Sequence, residues 1–459
     1  MDTNTLFDSK GLEIYSSSEN SEGLNARVKA ETDFDFEIPA EFDGKEITDF
    51  VVDLASLHKL KTVFLPSTIK NISFNFEKTD SSNGFSILIE PENPWFIADN
   101  KAIFTKDMSK IVMFTARDND TYKLPESVRV IGKYAFANAG NLNEIILPEG
   151  LEKIEEHAFF HSGLENLILP DSVKVIEKNA FEQTKLSQVK LSKNLEVIGE
   201  NAFRSVYHVN KLHFHFALRE IGSCALPDAL DTYKVDADND FFTVRDGILY
   251  TKDMQTVVRA SQSVGEKAVI PDGVKTIGET AFSNIKKLKE VWLPSSVHTI
   301  GANAFNHCTD LEKVQLGNTK FIGKQAFLAC RSLKKTELPE GLEEIGAEAF
   351  YRTSIRRVII PKSVKKIGRS AFSARYVELY DVDSSPVANF EYFSGIDHLL
   401  IVRSPETNDI KFAVPFYYSE WHNYSWELRQ IVMMLFNKKT RHTHSIYMTI
   451  YFLIRKDMN

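Results

Sequence analysis

The stretch GNTKFIGK, Gly317 to Lys324, comes nearest to a phosphate-binding loop. Such a loop needs four residues between its two glycines, so that successive backbone N–H groups cradle phosphate while the lysine reaches it. Here five residues intervene, and the second glycine belongs to an Ile-Gly pair that recurs along the chain. The structural reading therefore outweighs the chemical one. Gly-x-Ser-x-Gly and His-Glu-x-x-His are absent. Cys308 and Cys330 each follow a recurrent Phe by three residues. A disulfide or a metal clip with His307 would use them, but small buried thiols in equivalent places fit the usual burial of Cys. Cys224 reads the same way. His213 and His215 put two imidazoles on one strand face, a spacing that zinc sites use. The repeat places nothing else of ligand type beside them, so an exposed strand is expected. No catalytic, cofactor-binding or metal-ligating residue is expected, and no enzyme.

The elements that position these residues are set by repetition. Ile-x-x-x-Ala-Phe, usually with Gly after the Ile, has its Phe at 136, 159, 181, 203, 282, 305, 327, 350 and 372, with Leu226 as a variant. The spacing is 22 or 23 within each group, and the Ile lies five residues before the Phe every time, from Ile131 to Ile367. A longer period lies above this one. The segment from Asn93 aligns without gaps to that from Asn239, 146 residues later, and both contain TKDM. The spacing predicts two blocks, each opening with a hairpin insert and continuing with five short units.

In Leu-x-x-Ile-x-Leu, the Ile and second Leu are two apart and share one strand face. Pro then ends the strand, because it removes a ladder donor. One unit cannot bury its own apolar face, whereas stacked copies can, Leu over Leu and Phe over Phe. The chain is therefore expected to be a solenoid.

The segment Ile38 to Phe50, the insert DGILYTKD from Asp246, and the ten anchors resemble the BspA-like leucine-rich repeat family over residues 30–380. Glu155 and Glu177 depart from it by replacing the anchor glycine. The resemblance implies a curved, β-rich leucine-rich repeat solenoid of the α/β horseshoe type. It also implies a surface-exposed or secreted protein that binds host or matrix proteins in adhesion, with no single ligand specified.

Domain expectations follow. Residues 1–59 form an acidic opening cap, with eleven acids against four bases in residues 1–45. Residues 60–230 form the first block with its insert at 85–123, and 231–380 the second with its insert at 231–268. Residues 381–459 form a non-repeat cap, with a helix starting at Ser425. The formal net charge of −8 gives no overall positive field for nucleic acid. The longest apolar run, Ile446 to Ile454, is shorter than the ~20 residues a spanning helix needs. As written, the first residues have neither the basic nor the apolar region of a secretory leader. That supports an intracellular scaffold as the alternative to a surface binding module, with an enzyme whose site lies in the inserts or the C-terminal region as a third reading that the duplicated inserts argue against.

Repeat proteins bind with the outward positions of their strands. Toward the end of the second block these positions turn basic, at Lys334, Lys335, Arg356 and Arg357. Trp292 is the aromatic candidate on the same face. These five residues are the expected contact site for an acidic protein ligand, while Val291, Thr336 and Val358 between them are expected in the core.

Overall fold

The computed structural model describes residues 3–9, 12–17, 20–28, 35–53, 62–75, 86–116, 121–228, 230–373, 376–380, 399–403 and 410–414. The chain divides into two compact units, residues 1–242 and 243–459. The helix expected from Ser425 lies outside the described residues.

In the first unit, strands Thr3–Ser9, Leu12–Ser17 and Asn20–Val28 form an antiparallel meander. The last of these pairs in parallel with Lys45–Asp53, which pairs with Asn71–Asn75. Ile14, Leu24, Ala26, Ile47 and Phe50 are buried, so the acidic segment has an apolar inner face leading into the coils.

Each coil contributes one strand to each of two parallel ladders, except that the coil at residues 333–339 adds none to the outward one. One ladder carries the outward positions. In the second unit it runs Lys267–Val269, Glu290–Trp292, Lys313–Gln315, with Ala268, Val291 and Val314 pointing inward. The other is built from the anchor's Ile and the residue before it. It runs Thr276–Ile277, Thr299–Ile300, Phe321–Ile322, Glu344–Ile345, Lys366–Ile367, and the first unit repeats the arrangement from Val130–Ile131 to Glu220–Ile221. The anchor glycine lies where this ladder passes closest to the preceding coil. A Cβ on Gly301 would sit 2.7 Å from Glu279 N and 2.8 Å from Gly278 C. The two coils that lack this glycine use their carboxylates instead. Glu155 accepts from Lys110 Nζ at 2.7 Å and Lys133 N at 2.9 Å, and Glu177 from Glu156 N at 3.0 Å.

The phenylalanines form two stacks. Phe136, Phe159, Phe181 and Phe203 follow one another at 4.8–5.2 Å between ring centroids, and Phe282, Phe305, Phe327, Phe350 and Phe372 at 4.9–5.1 Å. That is one strand spacing per ring. Leu226 takes the Phe place in its coil and is buried. The chain turns by left-handed residues. The residue just before the anchor Ala has positive φ in all ten coils, among them Asn179, Asn201, Thr280 and Asn303.

The helical half of an α/β horseshoe is not what closes these coils. Among the described residues the only helix is a single 3-10 turn, Gln262–Val264, and turns occupy the rest of the outer arc. The physical reason is the left-handed residue in every turn, which breaks helical backbone. No helix among the described residues is long and apolar enough to cross a membrane.

Candidate functional site

Both TKDM inserts are hairpins, Ala102–Thr105 with Lys110–Phe114 and Ile248–Thr251 with Thr256–Ala260. The motif builds their turns. Asp107 accepts from Thr105 Oγ1 at 2.6 Å and from Ser109 N at 3.0 Å, while Met108 adopts positive φ. Asp253 and Met254 do the same. The hydroxyl of Thr105, first among several hydrogen bonds, holds the Asp107 carboxyl down at about 2.

Sequence reasoning missed the asparagines that open the aligned segments. Asn93 and Asn239 are fully buried, with every side-chain hydrogen-bonding position used. Asn239 Nδ2 donates to His215 O at 2.8 Å and Leu218 O at 2.9 Å, while its Oδ1 accepts from Phe241 N and Phe242 N. Asn93 does likewise with Pro66, Ile69, Trp95 and Phe96. Each ties the opening residues of its aligned segment to the coil before it.

Of the expected contact residues, the structure brings four together. Lys334, Lys335, Arg356 and Arg357 line one concavity of about 1080 Å³, together with Thr336, Ile359, Glu337 and Glu340 among others. The concavity lies where the outward ladder is interrupted. Residues 333–339 form no strand, and among the described residues no ladder bond joins Lys335, Thr336 or Glu337 to a neighbouring coil. The inward row reads Val291, Val314, Thr336, Val358. The valines are buried, whereas Thr336 is only half-buried and its Oγ1, shielded from solvent, has no partner. The expectation that Thr336 sits in the core beside Val291 and Val358 is thus corrected: its hydroxyl is shielded, but where residues 333–339 form no strand the rest of the residue lines the concavity. Charges elsewhere pair from coil to coil, as Lys365 with Glu343 at 2.8 Å and Lys289 with Glu266 at 2.9 Å. Among the described residues no carboxylate pairs in this way with Lys334, Lys335 or Arg356.

Trp292 does not line this concavity. It is half-buried, its Nε1 donates to Glu290 Oε2 at 3.0 Å, and Lys313 and Lys267 bring ammonium groups to 4.3 and 5.1 Å from the ring centroid. The neighbouring coils thus dress the indole in cations, which adds to the basic character of the face.

Cys308 and Cys330 are buried, without a disulfide, and in matching places. Their thiols donate to the preceding coil's Phe282 O at 3.0 Å and Phe305 O at 3.1 Å. Burial pushes the Cys308 thiol up to about 12 and that of Cys330 well above its usual range. Cys224 departs from the same reading. It is half-buried and occupies the left-handed turn position.

The histidine pair also needs correction. His213 and His215 are part-buried rather than fully exposed, and a third group of ligand type does stand beside them. Asp236 Oδ1 lies 2.6 Å from His213 Nε2, and its Oδ2 lies 3.1 Å from His215 Nδ1. Strand Lys211–Phe214 pairs with Thr232–Val235, and Asp236 N bonds Phe214 O at 3.0 Å, so Asp236 lies level with His215 one coil further on. Desolvation raises the Asp236 carboxyl, but hydrogen bonds from both imidazoles outweigh it and hold the group below its ordinary value.

Short parallel strands at a 22–23-residue period, a Phe stack and turn-built outer arcs define a leucine-rich repeat solenoid. A BspA type leucine-rich repeat region matches residues 112–230 and 261–378 in six copies, more than half of the chain, and the protein belongs to that family. A solved leucine rich cell surface protein from Faecalibacterium prausnitzii is 20% identical, covers 83% of this chain and 97% of its own, and superposes with a TM-score of 0.52. The pneumococcal vaccine antigen PcpA is 19% identical, with 82% and 81% covered and a TM-score of 0.42. A leucine-rich repeat protein from Bacteroides ovatus is 19% identical, with 86% and 99% covered and a TM-score of 0.34. No curated protein sequence matches the chain.

Proposed function

We propose that this protein is a non-catalytic interaction or adhesion module that binds an acidic protein ligand, a host or matrix protein, through the strand face of its second unit. The observation that carries the reading is the concavity lined by Lys334, Lys335, Arg356 and Arg357. Four cations against two carboxylates leave it positive in a chain whose net charge is −8. Excess charge of one sign in a concave site steers and orients an oppositely charged partner. Trp292, under Lys267 and Lys313, extends the basic face along the ladder. Membership of the BspA type family, and the cell-surface description of the F. prausnitzii protein, support display outside the cell.

The test is binding of the full chain and a Lys334→Glu, Lys335→Glu variant to purified extracellular-matrix and cell-surface proteins, at low and moderate salt. The variant should associate more slowly, with the difference shrinking as salt screens the exposed charges. Equal association at both salt levels for every protein that binds would overturn the assignment of this site.

A further inference from the structure

We propose that His213, His215 and Asp236 form a binding site for a divalent transition metal of the zinc type, spanning the junction between the last coil of the first block and the second insert. The three donor atoms, one from each side chain, lie within 4.8 Å of one another. Two imidazoles and one carboxylate are the donor set that suits such a metal. Zinc bonds of about 2.0–2.2 Å require donors about 3.3 Å apart in a tetrahedral site. The existing separations of 2.6 and 3.1 Å from the carboxylate oxygens approach that value, and small rotations of the rings open the rest. The imidazole centroids are 4.0 Å apart, so both rings already crowd one point. The side chains retain 39%, 16% and 24% of their exposure, which leaves an approach from solvent and a fourth position for water. Lys234, the register neighbour of His213, is the nearest cation on the adjoining strand; it is exposed and can extend away.

The chain supplies its own control. At the first insert Glu90 N bonds Leu65 O at 3.0 Å, and Asn93 N bonds Glu90 O at 2.9 Å. Those bonds match Asp236 N to Phe214 O and Asn239 N to Asp236 O. Glu90 therefore corresponds to Asp236, and Phe64 and Pro66 correspond to His213 and His215. In that junction the carboxylate accepts from Ser67 N at 2.7 Å instead. The same backbone is thus built without either histidine. His215 stands where most coils have the strand-ending Pro, as Pro125, Pro148, Pro170 and Pro294 do. The scaffold does not call for imidazoles here, and Asn239 holds the backbone of His215 in place beneath them.

Full-length protein stripped with a chelator would be titrated with Zn2+ by calorimetry, and with Co2+ while its visible absorption is followed. One equivalent per chain is expected, with a Co2+ spectrum of tetrahedral intensity. His213→Phe, which installs the residue of the first junction, and Asp236→Asn should each weaken binding by more than the about 10–100-fold that outer-shell changes cost. Thermal unfolding without metal confirms that each variant is folded. Absence of stoichiometric Zn2+ uptake, or uptake unchanged in both folded variants, would overturn the site and leave a hydrogen-bonded imidazole–carboxylate cluster only.

Discussion

The rings of Phe305 and Phe327 lie 5.0 Å apart between centroids and 4° from parallel, both fully out of water. Each ring fills the layer its neighbour leaves open, so a cavity in one coil removes contacts from two others. Phe305→Ala should therefore cost about 3–5 kcal/mol by transfer and cavity terms. Denaturant unfolding followed by a probe in the second unit measures it; a loss below about 1 kcal/mol would mean that the stack does not hold the coils together.

Thr280 adopts φ 55° in the turn position where Asn179, Asn201 and Asn303 stand in other coils. A β-branched residue is strained there, whereas Asn tolerates the left-handed region. Thr280→Asn should stabilise the protein by about 0.5–1 kcal/mol, visible as a higher denaturant midpoint.

Burial keeps Cys308 and Cys330 as thiols at neutral pH, so a thiol reagent should label both only on unfolding. The linkage has a definite sign. Below the ordinary thiol value of 9.0 both states are protonated and stability is unaffected; above it the unfolded state ionises first, and stability falls as pH rises toward about 12. Cys308→Ala should flatten part of that alkaline decline in pH-dependent unfolding. Rapid labelling of the native protein at both positions would contradict the burial.

Asn239 satisfies two backbone carbonyls and two backbone amides at once, one of each buried. Asn239→Ala strands these groups and should cost about 2–3 kcal/mol. Hydrogen exchange should rise first at Phe241 and Phe242. Protection unchanged at those amides would show that these bonds are dispensable.

Much of the fold was legible because a solenoid converts spacing into space. The Phe, Ile and Gly positions recur at one period, and the period itself places them in stacks. The four cations on Lys334, Lys335, Arg356 and Arg357 were legible for the same reason. What escaped depends on a break in the pattern. Thr336 in a row of valines was the visible sign of the ladder's interruption, but reading it as an ordinary inward residue hid the concavity. Asp236 escaped because the insert was aligned to its counterpart 146 residues earlier rather than to the coil just before it. Counting one coil back from Asp236 leads to His215. Asn93 and Asn239 stood in aligned positions, yet an asparagine in a loop looks the same whether it faces water or four backbone groups.

Residues 333–339 leave the outward ladder open while Phe321–Ile322, Glu344–Ile345 and Lys366–Ile367 stay bonded behind them. Bending that spreads the coils on the open side breaks no interstrand hydrogen bond at Lys335, Thr336 or Glu337, whereas bending the other way must stretch an intact ladder. The second unit is therefore mechanically asymmetric at this point. On that side the coils are held together by fewer interstrand hydrogen bonds, and it is there that Lys334, Lys335, Arg356 and Arg357 collect.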